Sequence, residues 1–137
     1  MFSGTFSLRT SARMELIDIT DTVQSILHEQ GVDSGFCYLF NPHTTAGLTI
    51  NEGADPDVRK DIITAFQHIV PMKIQYLHSE GNSPAHIMAS LMGSTLTLAV
   101  RNKRPLLGTW QRVFFCEFDG PRTRNVHWQL GATPLNL

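Results

Sequence analysis

Residues Ser94 to Arg101 read Ser-Thr-Leu-Thr-Leu-Ala-Val-Arg, and this run constrains the fold more than any other. Polar and apolar side chains alternate along it, which is the period of a strand with one face in a core and the other in water. Other segments extend the pattern. Thr5 to Thr10 predicts a strand with Phe6 and Leu8 on one face, and Glu15 to Ile19 a short second one. Gly35 to Phe40 is rich in aromatics and stops at Asn41-Pro42, because proline has no N–H to give to a ladder. Gly47 to Asn51, Leu107 to Phe118 and Arg122 to Leu130 complete the strand set.

Three helices are predicted between the hairpins. The first is capped by Thr20 or Asp21, carries Val23, Ile26 and Leu27, runs through His28 and ends at Gly31. The second opens at Asp55-Pro56, an Asp cap followed by proline at the first helical position. Val58, Ile62, Ala65, Phe66 and Ile69 then fall on one stripe, and Pro71 lies beyond the end. The third has Ser83 as cap and Pro84 inside, and Gly93 closes it. Helices that sit between hairpins, instead of following every strand, predict an α+β fold or a decorated β-sandwich and exclude a doubly wound sheet.

A chain of 137 residues fits one domain, 1–137, large enough for a core without covalent staples. Eleven basic and twelve acidic side chains nearly cancel, which argues against a general nucleic-acid binder and leaves room for a local anion pocket. Cys37 and Cys116 both lie among apolar residues without a CxxC motif, and read as buried free thiols. The chain shows no charged-then-apolar leader and no run long enough to cross a bilayer, so no membrane association and a cytoplasmic location are expected.

Six histidines divide into two groups. His28 and His68 read as helix-surface residues, and His127, beside Trp128, as packing. His43 opens His-Thr-Thr-Ala-Gly at a strand end. His86 falls in the first turn of the third helix, where the amide dipoles disfavour a protonated ring and so favour the neutral form that a metal needs. A turn at Gly81 would bring His78 back so that His78 and His86 face one point. Three protein ligands with one open position suit catalytic zinc, so His43, His78 and His86 would suffice, or two of them with Glu52 or Glu80. The spacing H-x7-H is no standard zinc motif, and unrelated loop histidines are the plainer reading.

Three further segments carry polar groups. Asp119-Gly120-Pro121-Arg122-Thr123-Arg124 is a turn that sets Arg122 and Arg124 on one face, as forks for phosphate or carboxylate or as solvated hairpin charges. In the strand after Gly108-Thr109, Trp110, Arg112, Phe114 and Cys116 share one face. Gln111, Val113, Phe115 and Glu117 share the other, so Gln111 and Glu117 need partners if buried. Trp110 reads as core or interface. Asn51 and Glu52 stand at a strand end, whereas Asp55 is explained as a helix cap.

These segments, in order, resemble the YjbQ-like family, described as secondary thiamine-phosphate synthases. The matching stretches are His43-Thr44-Thr45-Ala46-Gly47, Thr49-Ile50-Asn51-Glu52 with Asp55-Pro56, His78-Ser79-Glu80-Gly81-Asn82 with Ala85-His86, and Leu91 with Gly93. Leu107-Gly108-Thr109-Trp110-Gln111 and Glu117 with Asp119-Gly120-Pro121-Arg122 and Arg124 continue them, so the match covers about residues 40 to 125. The turn at Arg101-Asn102-Lys103-Arg104-Pro105 departs from it by lacking a glycine.

The resemblance implies a jelly-roll-like β-sandwich with added helices, assembling as a homotrimer. It implies a pocket at His43, His78 and His86, flanked by Glu52, Asn82, Gln111 and Arg122, with Asn51, Asn82 and Arg122 toward the substrate. It implies an anion there, or a divalent metal such as zinc or magnesium. The activity implied is a transferase reaction that joins hydroxymethylpyrimidine diphosphate to a thiazole phosphate and releases diphosphate. That reaction can be a side activity of an enzyme whose native small phosphorylated substrate differs. The alternatives are a non-catalytic metal- or ligand-binding trimer and a metal-assisted phosphate-ester hydrolase with Glu52 or Glu80 as general base.

Overall fold

Alternation places the apolar residues of each strand toward a single interior. In the computed structural model, which describes residues 2–133, two antiparallel sheets meet across that interior. The strands are β1 (Phe2–Arg9), β2 (Glu15–Asp18), β3 (Ser34–Phe40), β4 (Ala46–Glu52), β5 (Thr95–Arg101), β6 (Arg104–Pro105), β7 (Gln111–Glu117) and β8 (Thr123–Ala132). The helices are α1 (Thr20–Gln30), α2 (Pro56–Ile69) and α3 (Ser83–Met92). One sheet has the order β1-β8-β3-β5-β6, the other β2-β7-β4. The fold is mixed α+β with curled antiparallel sheets, as expected.

Leu39 and Cys37 of β3, Leu98 and Val100 of β5, and Val126 and Leu130 of β8 face Leu48 of β4 and Val113 and Phe115 of β7, with α1 closing one side through Val23, Ile26 and Leu27. The opposite face of β7 is buried as well: Phe114, Cys116 and Phe118 pack under α2 and α3. Both faces of β7 follow the predicted alternation, and both are apolar because one packs against the five-stranded sheet and the other under α2 and α3. Cys37 and Cys116 are buried free thiols, and burial pushes the Cys37 thiol up to about 12.

Several boundaries differ from expectation for local reasons. Thr20 is the first residue of α1 and not its cap; its N–H donates to Asp18 Oδ1 at 2.9 Å, and its hydroxyl accepts the Val113 N–H at 2.8 Å. Asp55 does cap α2, accepting the Asp57 N–H at 2.9 Å. The inward stripe of α2 is Ile62, Ile63 and Phe66, while Ala65 and Ile69 stay exposed because the helix leans on β7 with one narrow face. Asn82 precedes α3 in place of Ser83. β7 starts only at Gln111, so Trp110 lies in the turn before it and is 63% exposed. The hairpin that lacks a glycine turns at Asn102 and Lys103, which hold φ of 53° and 59°. Both central residues take the left-handed conformation that such a two-residue turn requires.

Candidate functional site

The end of the sandwich where β4 begins is tied together by a buried ion pair. Glu117 ends β7 and Arg124 lies on the inner face of β8, and both are essentially fully buried. Arg124 Nε donates to Glu117 Oε1 at 2.9 Å, and its Nη2 donates to Glu117 Oε2 and, at 2.9 Å, to Thr45 Oγ1. The Thr10 hydroxyl and the Asp119 N–H complete the shell of Glu117 at 2.7 and 3.1 Å. Burial pushes the Glu117 carboxyl up, but these donors outweigh it, and the group is held below the ordinary carboxylate range. The expectation that a buried Glu117 needs a partner is met, and Arg124 is no solvated hairpin charge.

Asn41 shapes the loop above this clamp. Its side chain, buried, accepts the His43 N–H at 3.0 Å and donates to Ala46 O at 2.7 Å. The Asn-Pro signal that ended the strand thus also sets the turn that presents His43. The His43 ring receives the Asn125 N–H on Nε2 at 2.8 Å. Burial lowers its pKa, and the neighbouring Arg124 charge acts in the same direction.

A cavity of about 300 Å³ opens over this floor, lined by His43, Glu80, Asn82, His86, Arg122 and Arg124 among others. Its charges are unequal in reach. Arg124 is neutralised by Glu117, whereas Arg122 is half-exposed and donates to the Asp119 carbonyl at 2.9 Å and the Asp119 carboxylate at 3.1 Å. Asn82 donates to Asp119 at 2.8 Å, and its own Oδ1 is buried without a partner. An orphaned acceptor in a cavity wall is a place for a donor from a ligand or water. A second cavity of about 380 Å³, with Phe40 and Ala89 in its wall, adjoins the first through His43 and His86.

The residues named from sequence therefore divide. His43, Asn82, His86 and Arg122 share one cavity, with Glu80. His78 lies next to it: Gly81, at φ 74°, turns the chain as expected and sets the His78 and His86 rings edge to face with centroids 5.4 Å apart. Asn51, Glu52 and Gln111 are elsewhere. In the β4–β7 ladder Glu52 pairs with Gln111 while Ala46 pairs with Glu117, six residues and about 20 Å away. Gln111 is exposed and accepts the Gly108 N–H at 2.8 Å. Within one chain these three cannot flank the histidines, because they stand at the opposite end of the same two strands.

The expected metal set also fails to assemble. Among the described residues no three His, Cys, Asp or Glu side chains come close enough to hold a metal ion. His43 has its Nε2 committed to the Asn125 N–H, so a divalent metal such as zinc or magnesium does not fit these donors and no chemistry is assigned to one. Asn41 and Thr45 belong to the site although sequence patterns did not place them there, and Arg124, one of the two forks read for phosphate or carboxylate, grips the carboxylate of Glu117. The buried side-chain bonds of Asn41 depend on the loop closing back on β4, and those of Arg124 on the meeting of two sheets.

Fold and site define a small α+β protein with a polar, arginine-containing pocket at one end of a β-sandwich. The family model described as "UPF0047 protein YjbQ-like" matches residues 4–132, and the chain belongs to that family. It is 48% identical to a UPF0047 protein of Methanocaldococcus jannaschii over 89% of this chain and 88% of that one. It is also 48% identical to the UPF0047 protein YugU of Bacillus subtilis, over 90% and 94% of the two chains. A crystal structure of an uncharacterized family member from Clostridium acetobutylicum superposes with a TM-score of 0.90 at 49% identity, covering 93% of this chain and 98% of that one. Among the described residues no helix is long and apolar enough to cross a membrane.

Proposed function

We propose that the cavity binds the phosphate group of a small phosphorylated molecule and that the protein is a phosphate-ester enzyme. Transfer of the thiamine-phosphate-synthase type is one reaction within that reading. The observation that carries it is that Arg122, His43 and His86 line one cavity beside the first turn of α3. A guanidinium and the positive end of a helix dipole both stabilise a phosphate or a departing diphosphate. Arg122 uses Nε and Nη2 on Asp119, which leaves Nη1 for a ligand.

The direct experiment supplies hydroxymethylpyrimidine diphosphate and thiazole phosphate to the purified protein, with and without divalent metal. The coupled product is expected, with about 100-fold loss in His86→Ala. Wild-type rates in both His78→Ala and His86→Ala would remove this cavity from the reaction. Release of phosphate or diphosphate without a coupled product selects hydrolysis instead. Glu80 lines the cavity and is then the general base to test, not Glu52. Binding without any turnover selects the non-catalytic reading.

A homotrimer is part of the proposal. Phe36, Tyr38 and Phe40 form an aromatic row on the outer face of the five-stranded sheet, where Phe36 and Phe40 are exposed in the single chain. Light scattering at micromolar concentration is expected to return three times the chain mass, and a monomer mass would overturn the assembly. A cytoplasmic setting fits two free thiols.

A further inference from the structure

We infer that His43 serves the pocket as a neutral hydrogen-bond donor, presenting Nδ1–H to a bound anion, and that it is not a metal ligand. The inference deepens the phosphate-ester reading and rests on it.

β3 pairs with β8 from Gly35 opposite Ala132 to Phe40 opposite His127, and there the ladder stops as the chain turns at Asn41. Asn125, two residues along β8, therefore has a backbone N–H with no β3 residue to receive it. A buried backbone donor must find an acceptor. The loop held by Asn41 brings His43 to that place, and its Nε2 takes the bond at 2.8 Å. The imidazole closes the ladder as a missing strand residue would.

The chemistry of the ring follows. A neutral imidazole carries one proton, and a nitrogen that accepts a hydrogen bond is the unprotonated one. The proton therefore sits on Nδ1, for which the described residues supply no hydrogen-bond partner. A metal at Nε2 would have to displace the Asn125 N–H and leave it unpaired. A metal at Nδ1 would require removal of the only ring proton, an imidazolate that does not form near neutral pH without strong compensation. An anion has neither difficulty: its oxygen accepts from Nδ1–H as the ring stands. Burial and the Arg124 charge both disfavour the imidazolium, so the donor is neutral. His43 borders both cavities, and Arg122 flanks the polar one, so an oxygen bound there meets a charged fork and a neutral donor together.

The test is tautomer-sensitive nitrogen NMR on the uniformly labelled wild-type protein, followed by titration with inorganic pyrophosphate in the presence of EDTA. The expected spectrum shows His43 protonated at Nδ1 and unprotonated at Nε2, with pyrophosphate shifting Nδ1. His43→Asn keeps an N–H donor near the Nδ1 position and is expected to hold pyrophosphate within about threefold of wild type. His43→Phe is expected to lose about tenfold or more. Three results would each overturn the inference: a proton on Nε2, stoichiometric zinc binding that perturbs a His43 nitrogen, or equal pyrophosphate affinity in His43→Phe and wild type. Calorimetry separates the two levels. Absence of any pyrophosphate binding overturns the phosphate reading and this inference with it. Pyrophosphate binding without a response at Nδ1 overturns only the role of His43.

Discussion

Glu117→Ala is expected to destabilise the fold by about 3–5 kcal/mol, because it leaves Arg124 buried as an unpaired charge between the two sheets. That is about a fifth or more of the stability of an ordinary domain and corresponds to a fall in melting temperature of about 10–20 °C. Arg124→Ala is expected to behave alike. Joint replacement, Glu117→Leu with Arg124→Met, is expected to recover most of the loss, since an apolar pair strands no charge. Thermal denaturation followed by circular dichroism checks the set. Single variants melting within about 2 °C of the parent would show that the ion pair does not hold the sheets.

The same clamp gives the protein a sign-defined response to acid. Glu117 has its pKa lowered in the folded state, so its contribution is complete above the ordinary carboxylate value of 4.5 and is lost as pH falls through the lower folded value. His43 is lowered from its ordinary 6.5, so below that pH the unfolded chain takes up a proton that the folded chain resists. Stability is therefore expected to decline in two stages on acidification, first below about 6.5 and then in the carboxylate range. Urea titrations at several pH values read both stages, and His43→Asn removes the first.

Arg122→Gln is expected to weaken binding of inorganic pyrophosphate by about 10- to 100-fold with little change in melting temperature. The small stability effect follows from exposure. The Arg122–Asp119 pair is half in water and contributes about 0–1 kcal/mol, unlike the buried pair two residues away. Arg122→Lys is expected to fall between, because it keeps the charge but loses the planar fork. Calorimetry at fixed ionic strength decides: equal affinity in Arg122→Gln and the parent would take Arg122 out of the site. Together the two experiments separate a guanidinium that builds the pocket from one that serves it, although the pair stands only two positions apart in sequence.

That contrast shows how far the sequence could be read. The alternation of residues 111 to 118 assigned both faces of β7, and the Asp55-Pro56 pair located the start of α2. Gly81 carried enough information to bring His78 beside His86. Each of these depends on a few neighbouring residues. Family order sets Asn51, Glu52 and Gln111 with the histidines, but order along a chain does not say which end of a strand points to a pocket. The turn at 119–124 leaves Arg124 open between a fork for an anion and a solvated charge, because its partners, Glu117 at the end of β7 and Thr45 in the turn before β4, are brought to it only by the fold.

The sequence by itself determined the strands, the helix starts and the apolar faces, because periodicity and capping are local properties of the backbone. Only the tertiary structure decided what His43 can do. Its ring nitrogen meets a backbone N–H 82 residues away, at a point set by where β3 stops beside β8. The residue type supplies an imidazole; the position of a ladder's end decides which nitrogen keeps the proton.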